Sequence, residues 1–343
     1  MSALCYTVTI ISKELHMSEI TVIIPNYNGA HFLAQCLPSL MRQSFRDFDI
    51  LLVDNGSTDD SLLYVREHFP AVTIIPLAKN IGFSHAVNIG IRRSTSPYVL
   101  LLNTDTILHR DFLLHMYYAI RKSPSVFSVS SRMLCAESPS HIDGAGDWYT
   151  ICGYAVCRGR MRKSFRYLHT ARVFSSCAGA ALYRRSVFDE IGLFDDRFFA
   201  YLEDVDIGYR ARLHGYQNLY CPAASVLHAG SGTSGHGYTP FKVYYSARNN
   251  IFLLHKNQTT LQLLVNFPFI LSGTLLKYLY FRKRNLGNVY LSGIRNGLHR
   301  MHSFPKVPRT KAQIHNAWKL ELPLFKYTVL YLKDFLITHL LRF

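Results

Sequence analysis

The sequence has few charged residues and lacks several familiar motifs. Only 17% of its 343 residues are charged and 49% are hydrophobic, a composition that excludes a disordered chain and suffices for a large core. None of the seven cysteines forms a CxxC pair, so neither a zinc site nor a disulfide framework is indicated. The loops after the first four predicted strands contain neither GxGxxG nor GxxxxGK followed by Ser or Thr, which excludes the usual glycine-rich phosphate cradles there.

Acidic residues are also scarce. The chain has 22 Asp and Glu against 38 Lys and Arg, giving a net charge of +16, and the basic excess lies mostly after residue 155. This balance favours an anionic partner: nucleic acid, a phosphorylated ligand or an acidic membrane surface. A nucleic-acid-binding protein is therefore one alternative, although no RRM, KH or helix-turn-helix signature is present.

The first 131 residues alternate between predicted strands and helices. Strands are predicted at residues 20–25, 49–54, 72–76, 98–102 and 126–131, and helices at 32–41, 60–68, 84–93 and 110–122. This alternation predicts βαβ units, and hence an α/β fold in which helices cover both faces of a Rossmann-like, mostly parallel sheet. Residues 132–176 are predicted to be irregular. Residues 1–18 are an uninformative N-terminal extension.

Polar side chains follow three of these strands. Asn28, Asp54 and Asp105 lie in loops after parallel strands, and such loops meet at one edge of a sheet. We therefore expect these side chains to converge on one crevice. Asp105, directly after a buried strand, is the first candidate for holding a hard cation; an Asx-type turn made by Asn103 and Asp105 is an equal alternative.

A second acidic centre lies at residues 203–206. Glu203, Asp204 and Asp206 open a predicted helix that runs to about Leu213. Acidic residues in a first turn stabilise the helix dipole, but a carboxylate beside aromatic residues can also have a raised pKa and serve as a general base. The Gly- and Asp-rich segment 141–147 resembles a turn near a ligand, with a surface loop as the alternative. A lone histidine such as His228 is more often structural than a ligand.

Five short motifs occur in a fixed order. They are Val22-Ile23-Ile24-Pro25-Asn26-Tyr27-Asn28, Leu52-Val53-Asp54-Asn55-Gly56-Ser57-Thr58-Asp59, Asn80-Ile81-Gly82-Phe83, Leu102-Asn103-Thr104-Asp105 and Tyr201-Leu202-Glu203-Asp204-Val205-Asp206. The series resembles family 2 glycosyltransferases with the GT-A fold, of the bacterial rhamnosyltransferase-like kind. The resemblance covers about residues 19–257, and implies a nucleotide-binding half at 19–131 and an acceptor and catalytic half at 132–257.

The resemblance also implies roles for individual residues. Asp204 looks like the catalytic base, with Glu203 and Asp206 as supports. Asp105, in the place of the DXD motif, and His228 look like the ligands of Mg²⁺ or Mn²⁺. The implied donor-binding residues are Pro25, Tyr27, Asn28, Asp54, Asn80, Gly82, Asn103, Thr104 and Arg248. Asp54 would meet the base of the nucleotide and Arg248 a phosphate, with a surface salt bridge as the alternative for Arg248. The small-residue strand 176–183 permits close approach of a ligand, and the expected acceptor-binding residues are Gly179, Ala180 and Tyr201.

The reaction implied is metal-dependent, inverting transfer from a nucleotide sugar, such as a dTDP-rhamnose-like or UDP-sugar donor. The acceptor implied is a lipid-linked saccharide, such as one carried on a polyprenyl diphosphate, in cell-surface polysaccharide or O-antigen synthesis. No QxxRW motif follows residue 206, which favours non-processive addition. A catalytically inactive sugar-nucleotide-binding homologue is the alternative.

Residues 258–343 are predicted to be a helical, membrane-associating region. Residues 259–281 match the thickness of a bilayer, but Gln262, Asn266, Pro268 and Lys277 interrupt them, which favours an embedded or interfacial helix pair over a clean span. Residues 320–343 have a basic amphipathic pattern suited to an anionic leaflet. We expect a location at the cytoplasmic face of the membrane. The alternative is ordinary helices packed on the catalytic domain or on a second subunit of a homo-oligomer.

Overall fold

The computed structural model describes residues 17–230, 237–304, 306 and 309–339. Expectations about the extension at residues 1–16, and about the end of the chain after residue 339, lie outside the described residues. The strands are β1 (Ile20–Asn26), β2 (Phe48–Asp54), β3 (Thr73–Pro76), β4 (Tyr98–Leu102), β5 (Thr106–Leu108), β6 (Val126–Cys135), β7 (Ser138–Gly144), β8 (Asp147–Tyr149), β9 (Ala155–Cys157), β10 (Ala171–Val173), β11 (Ala180–Arg184) and β12 (Gln217–His228). The helices are α1 (Ala30–Met41), α2 (Ser61–His68), α3 (Phe83–Arg93), α4 (Phe112–Arg121), α5 (Arg185–Ile191), α6 (Glu203–Leu213), α7 (Pro240–Asn257), α8 (Thr260–Arg282), α9 (Gly287–Arg300), α10 (Lys311–Lys319) and α11 (Glu321–His339).

One ten-stranded sheet organises the molecule in the order β10-β12-β6-β11-β4-β1-β2-β3, with β5 paired to β12 and β7 to β6. Strands β1 to β4 run parallel, as helical crossovers require. Because helices cover both faces, the central strand β4 is apolar and wholly buried. The predicted α/β fold is confirmed. Beyond β4 the antiparallel strand β11 makes the whole sheet mixed.

Two apolar layers enclose this sheet. On one face, Leu33 of α1 and Phe112 of α4 pack on the sheet. On the other face, Val87 of α3 and Ile207 of α6 do so. The continuous apolar runs of β1, β2 and β4 and the helical spacing of apolar residues between the strands are local signals, which is why the positions of these elements could be predicted within a few residues.

The prediction that residues 132–176 are irregular was wrong. Strand β6 continues to Cys135, and β7 to β10 follow. Strands β8, β9 and β10 have only three residues each, too few for an alternating pattern to be recognised. Strand β10 pairs with the distant strand β12, and the bridge between Asp147 and Ser175 also joins distant segments. Pairings of this kind leave little local signal.

The C-terminal helices pack on the second half of the sheet domain. Phe252, Phe304, Leu324 and Tyr327 share a core cluster with Phe174 beside the sheet. The interval 259–281 contains one continuous helix, α8, so the predicted helix pair was wrong. A reciprocal cap between Thr259 and Gln262 starts this helix, and Pro268 is accommodated inside it. The division of the chain at residue 257 remains a prediction.

Candidate active site

The loops after β1 and β2 are joined by buried hydrogen bonds. Asp54 is 1% exposed; it accepts hydrogen bonds from Asn26 Nδ2 at 2.8 Å and from the Ser57 backbone N–H at 3.0 Å. The strand register aligns Asn26 with Asp54, which brings the two side chains together. Asp54 therefore fixes the shape of this wall of the crevice.

The other predicted donor residues lie around this wall. Asn28, with φ 51°, accepts from the Thr58 backbone N–H at 2.8 Å. Asn80 Oδ1 accepts from Asn55 Nδ2 and from the Gly82 N–H, both at 3.0 Å. Tyr27 is exposed at the rim and the neighbouring Pro25 is partly exposed. The loops after β1, β2 and β3 thus form one polar surface.

The strand end after β4 meets this surface. A Cβ on Gly29 would lie 3.2 Å from Thr104 Oγ1, so the loop after β1 passes directly over the Asn103-Thr104-Asp105 turn. A pocket of about 190 Å³ opens beside this turn and includes Thr104 and Asp105 in its lining. The predicted convergence of the loops after β1 and β4 is confirmed.

His228 and Asp105 lie together, as predicted. The end of β12 pairs with β5, so His228 stands opposite Thr106, and His228 Nε2 lies 3.3 Å from Asp105 Oδ1. On the other side of the ring, Nδ1 donates to Asp143 Oδ2 at 2.7 Å. Burial opposes the positive charge, but hydrogen bonds and the charges of Asp105 and Asp143 raise the pKa of His228 to about 9.

These residues fit a divalent ion that is shared with a phosphorylated ligand. His228 Nε2 is buried and lies 3.3 Å from Asp105 Oδ1, and a divalent ion bound there would displace the proton from this nitrogen. Asp143 fixes the ring through the opposite nitrogen, the usual arrangement behind a metal-bound histidine. The described residues contain no group of three or more His, Cys, Asp or Glu side chains placed to hold a metal. Mg²⁺ and Mn²⁺ can bind with as few as one or two protein ligands, because water and phosphate oxygens readily complete their coordination.

In the second acidic centre, Glu203 and Asp204 have different surroundings. Glu203 is 7% exposed, and its Oε2 atom has no hydrogen-bond partner. Asp204 is partly exposed and accepts from the backbone N–H groups of Val205 at 2.8 Å and Ala178 at 3.4 Å. Burial raises the pKa of both groups; the charge of Asp204 raises that of Glu203 further, whereas the two N–H donors limit the rise at Asp204. The proton therefore resides on Glu203 and leaves Asp204 ionised.

Two carboxylates at these sites were not among the predicted site residues. Asp143 orients His228. Asp147, buried beside Ser175 at 3.3 Å, has a pKa raised by burial and by the charge of Asp204. Both residues belong to the segment 141–147 that the sequence marks as a turn near a ligand or a surface loop. Their composition was a signal, but their partners depend on long-range strand pairing.

Asp206 is completely buried. It accepts from Lys256 Nζ at 2.9 Å, Asn257 Nδ2 at 2.6 Å and Arg210 Nε at 3.0 Å. The bonds from Lys256 and Asn257 tie helix α6 to α7. Asp206 therefore supports the site from behind and does not face the crevice.

The segment before α6 has an unusual backbone. Phe199, Tyr201 and Leu202 have positive φ angles of 63°, 70° and 68°, which cost energy in residues other than glycine and persist only where the surroundings enforce them. Asn249 of α7 supplies this restraint. Its Nδ2 donates to the carbonyls of Phe198, Ala200 and Tyr201 at 3.0, 2.8 and 2.7 Å.

Arg248, which was predicted to meet a donor phosphate, contacts main-chain carbonyls of the segment before α6. Its guanidinium donates to the carbonyls of Phe198 at 2.8 Å and Arg197 at 3.2 Å and lies 4.4 Å from the centre of the Tyr245 ring. Arg248 is 8% exposed. It is thus part of the same restraint on the segment before α6.

Replacement of Asn249 with alanine should lower the free energy of unfolding by about 2–3 kcal/mol, because buried carbonyls lose their donor. It should also lower kcat, since Asp204 directly follows the released segment. Denaturant unfolding and initial rates check both effects. The neighbouring Asn250 accepts one hydrogen bond of 3.3 Å from Tyr149, so Asn250→Ala serves as the matched control. Equal effects of the two substitutions on kcat would contradict the prediction.

The three predicted acceptor residues have different surroundings. Gly179 accepts from the Asn103 N–H at 2.8 Å, and a Cβ at this position would lie 3.0 Å from Asn103 Nδ2, so glycine permits the close approach. Tyr201 is partly exposed beside α6. Ala180 is completely buried, and its side chain belongs to the apolar layer, so only its main chain could contribute to the predicted acceptor site.

The fold and the two acidic centres define a GT-A glycosyltransferase. The family model described as "Glycosyl transferase family 2" matches residues 21–192, and the chain belongs to this family. It is 25% identical over 260 residues to the N-acetylglucosaminyl-diphospho-decaprenol L-rhamnosyltransferase of Mycobacterium tuberculosis strain H37Rv, with 69% of this chain and 84% of the relative covered. It is 24% identical over 210 residues to the poly-beta-1,6-N-acetyl-D-glucosamine synthase of Staphylococcus aureus strain N315, covering 61% of this chain and 49% of the synthase.

Two solved structures share the fold. The mannosyltransferase of Pyrobaculum calidifontis, in complex with GDP-Man and Mn²⁺, superposes with a TM-score of 0.54 at 18% identity, covering 92% of this chain and 83% of that one. GalNAc-T7 with UDP, GalNAc and Mn²⁺ superposes with a TM-score of 0.57 at 16% identity over 70% of this chain. This chain spans about half (48%) of the length of GalNAc-T7.

Proposed function

We propose that this glycosyltransferase carries out metal-dependent, inverting transfer of one sugar from a nucleotide sugar to a saccharide on a polyprenyl diphosphate. The observation that carries the proposal is the difference between the two acidic centres. One pairs Asp105 with a histidine held by Asp143. The other has an ionised Asp204 beside a buried, protonated Glu203. The first centre suits a diphosphate with its cation, and the second suits a nucleophilic hydroxyl.

In this mechanism the acceptor hydroxyl gives its proton to Asp204 as its oxygen attacks the anomeric carbon. The bond from that carbon to the donor phosphate breaks, and the nucleoside diphosphate leaves with the bonding electron pair. One base and one displacement give inversion of configuration. A divalent ion held by Asp105 and His228 would neutralise the charge that develops on the diphosphate. Asp54, Asn28 and Asn80 line the nucleotide end of the crevice.

The acceptor class is supported by the mycobacterial relative, whose name specifies a diphospho-decaprenol acceptor and rhamnosyl transfer. A rhamnosyl or related hexosyl donor and a role in cell-wall polysaccharide synthesis follow by analogy. The enzyme would work at the cytoplasmic face of the membrane. The net charge of +16 would then attract anionic lipids and the diphosphate groups of the substrates. A salt-sensitive gel shift with nucleic acid would instead favour the nucleic-acid-binding alternative.

A screen of dTDP-, UDP- and GDP-sugars tests the proposal. The full-length chain should be stabilised against heat by one nucleotide class, and the stabilisation should require Mn²⁺ or Mg²⁺. The same donor should extend a GlcNAc-diphospho-lipid by one sugar of inverted anomeric configuration, as read by mass spectrometry and NMR. Stabilisation without transfer to any such acceptor would support an inactive binding homologue. Retention of configuration would contradict the mechanism.

A further inference from the structure

Helix α8 has the reverse of the polarity expected for a helix on a soluble protein. Among the described residues it is the one helix long and apolar enough to cross a membrane. Its buried residues are Gln262, Asn266, Gly273 and Phe281. Its exposed large side chains, which are 42–68% accessible, are Leu261, Leu264, Val265, Phe267, Phe269, Leu271, Leu275, Leu276 and Leu279. Amphipathic helices on soluble proteins bury the apolar face instead.

The amide and ammonium side chains in the interior of α8 turn towards the protein, and the exposed Ser272 donates its hydroxyl hydrogen to the carbonyl of Pro268 in the same helix. Gln262 Nε2 and Asn266 Nδ2 donate to the two carboxylate oxygens of Glu321 at 2.6 and 3.0 Å. Lys277 Nζ lies 3.7 Å from the centre of the Tyr154 ring. No charged side chain of α8 before Arg282 is therefore left on the outer face, which is what a hydrocarbon environment requires.

Helix α11 adds a second apolar stripe next to α8. Leu322, Phe325, Val329 and Leu332 are 50–75% exposed, and their spacing of three, four and three residues places them on one side of a helix. The two helices are joined through Glu321. Together they expose thirteen large apolar side chains, more than soluble monomers usually leave in contact with water. We call this surface the α8–α11 face.

Protein covers one side of α8 along most of its length. Gln262 contacts α10 and α11 near its start, Gly273 accepts a hydrogen bond from the Tyr154 hydroxyl at its middle, and Phe281 packs on Tyr290 of α9 at its end. A helix covered in this way cannot be surrounded by lipid. Its apolar side can enter a bilayer while the other side stays on the protein if the helix lies in the plane of the membrane.

Basic residues flank this face. Arg282, Lys283 and Arg284 directly follow the last apolar turn of α8 and are exposed, as are Lys326 and Lys333 of α11. Cations at this position would contact lipid phosphates while the apolar side chains enter the acyl region. This charge complementarity favours an anionic leaflet over a second copy of the same basic chain.

We propose that the α8–α11 face inserts into one leaflet of an anionic membrane, with α8 parallel to the membrane plane and not across it. The inference goes beyond the proposed function because it specifies how the chain contacts the bilayer. It does not depend on which sugar is transferred. An enzyme fixed in this way would meet a lipid-linked acceptor at the surface of the leaflet.

Sedimentation with vesicles tests the insertion. The full-length chain should bind vesicles of phosphatidylcholine with 30% phosphatidylglycerol at least about tenfold more tightly than phosphatidylcholine alone. The triple variant Leu264→Glu, Leu271→Glu, Leu275→Glu should lose binding to both, while its unfolding midpoint and its transfer to a water-soluble acceptor stay unchanged. Glutamates at Leu63, Tyr118 and Leu168, which are exposed elsewhere, form the matched control and should bind normally.

A depth measurement tests the orientation. Tryptophan introduced singly at Leu264 and at Leu271 should be quenched equally by lipids brominated at a given acyl position, because an in-plane helix holds both at one depth. Quenching much deeper for Leu271→Trp than for Leu264→Trp would mean that α8 spans the bilayer, and would overturn the in-plane proposal. Absence of vesicle binding together with a dimer that dissociates in the triple glutamate variant would assign the face to a second copy instead.

Discussion

Replacement of Asp204 with asparagine should reduce the rate of sugar transfer about 10³-fold, within the range that a positioned general base contributes. Asparagine has the same shape and its carbonyl oxygen can still accept from the Val205 N–H, so the start of α6 should be preserved. It cannot take up the proton of the acceptor hydroxyl. Donor affinity should remain close to that of the parent enzyme, because the donor diphosphate lies at the other acidic centre. Initial rates and calorimetric titration with the nucleotide measure the two quantities.

Glu203 provides the matched control for this experiment. Since burial keeps Glu203 protonated, glutamine resembles its native state, and Glu203→Gln should lower kcat only a few-fold. Equal, large losses in both variants would indicate a shared structural effect and not a base at Asp204. A rate near that of the parent enzyme in Asp204→Asn would exclude Asp204 as the base.

The pH dependence of kcat should have an acidic limb that belongs to Asp204. A base works only in its ionised form, so the rate falls as the pH drops below its pKa. Because burial raises the pKa of Asp204, this decline should begin at a higher pH than for a solvent-exposed aspartate. The acidic limb should remain in Glu203→Gln and should be missing from the residual activity of Asp204→Asn.

The strands and helices of residues 19–131 were predictable because their signals are local. The apolar runs of β1, β2 and β4 end at polar residues, and parallel strands carry those residues to one edge of the sheet. In the second half, the sequence does not show which side chains face the crevice and which face the core. Gly179, directly before β11, lies against Asn103, while the next residue, Ala180, is the first residue of β11 and faces the core. The composition of 176–183 could not decide which residue faces the site.

Long-range contacts explain the remaining differences. Arg248 resembled a phosphate ligand in sequence, but its partners are main-chain carbonyls of residues some 50 positions earlier. For α8, the sequence did contain a signal that the polar residues lie on one side of a single helix. Gln262, Asn266, Gly273 and Lys277 are separated by four, seven and four residues, a helical spacing that places them on one side. These residues break the apolar run of 259–281 in the sequence, but they leave the outward-facing side of the helix apolar.

Replacement of Asp105 with alanine should abolish the contribution of the divalent ion to donor binding. Asp105 is the one carboxylate in the Asn103-Thr104-Asp105 turn, so its loss leaves His228 as the remaining protein ligand proposed for the ion. Removing a group behind a metal ligand typically weakens metal affinity 10- to 100-fold, and removing Asp105 itself should cost about 100-fold or more. Titration of the nucleoside diphosphate with and without Mn²⁺ measures this change directly.

Two further variants make the prediction specific to this arrangement. Asp143→Asn keeps the shape beside His228 but weakens the acceptor for its Nδ1–H, so Mn²⁺ affinity should fall about 10-fold, the lower end of the range for such partners. Asp189→Ala removes an exposed carboxylate of α5 and should change nothing. The Mn²⁺ electron paramagnetic resonance spectrum reports the bound ion independently of turnover. If Asp105→Ala binds the nucleoside diphosphate and Mn²⁺ as tightly as the parent chain, the ion is held elsewhere and the assignment of Asp105 and His228 is wrong.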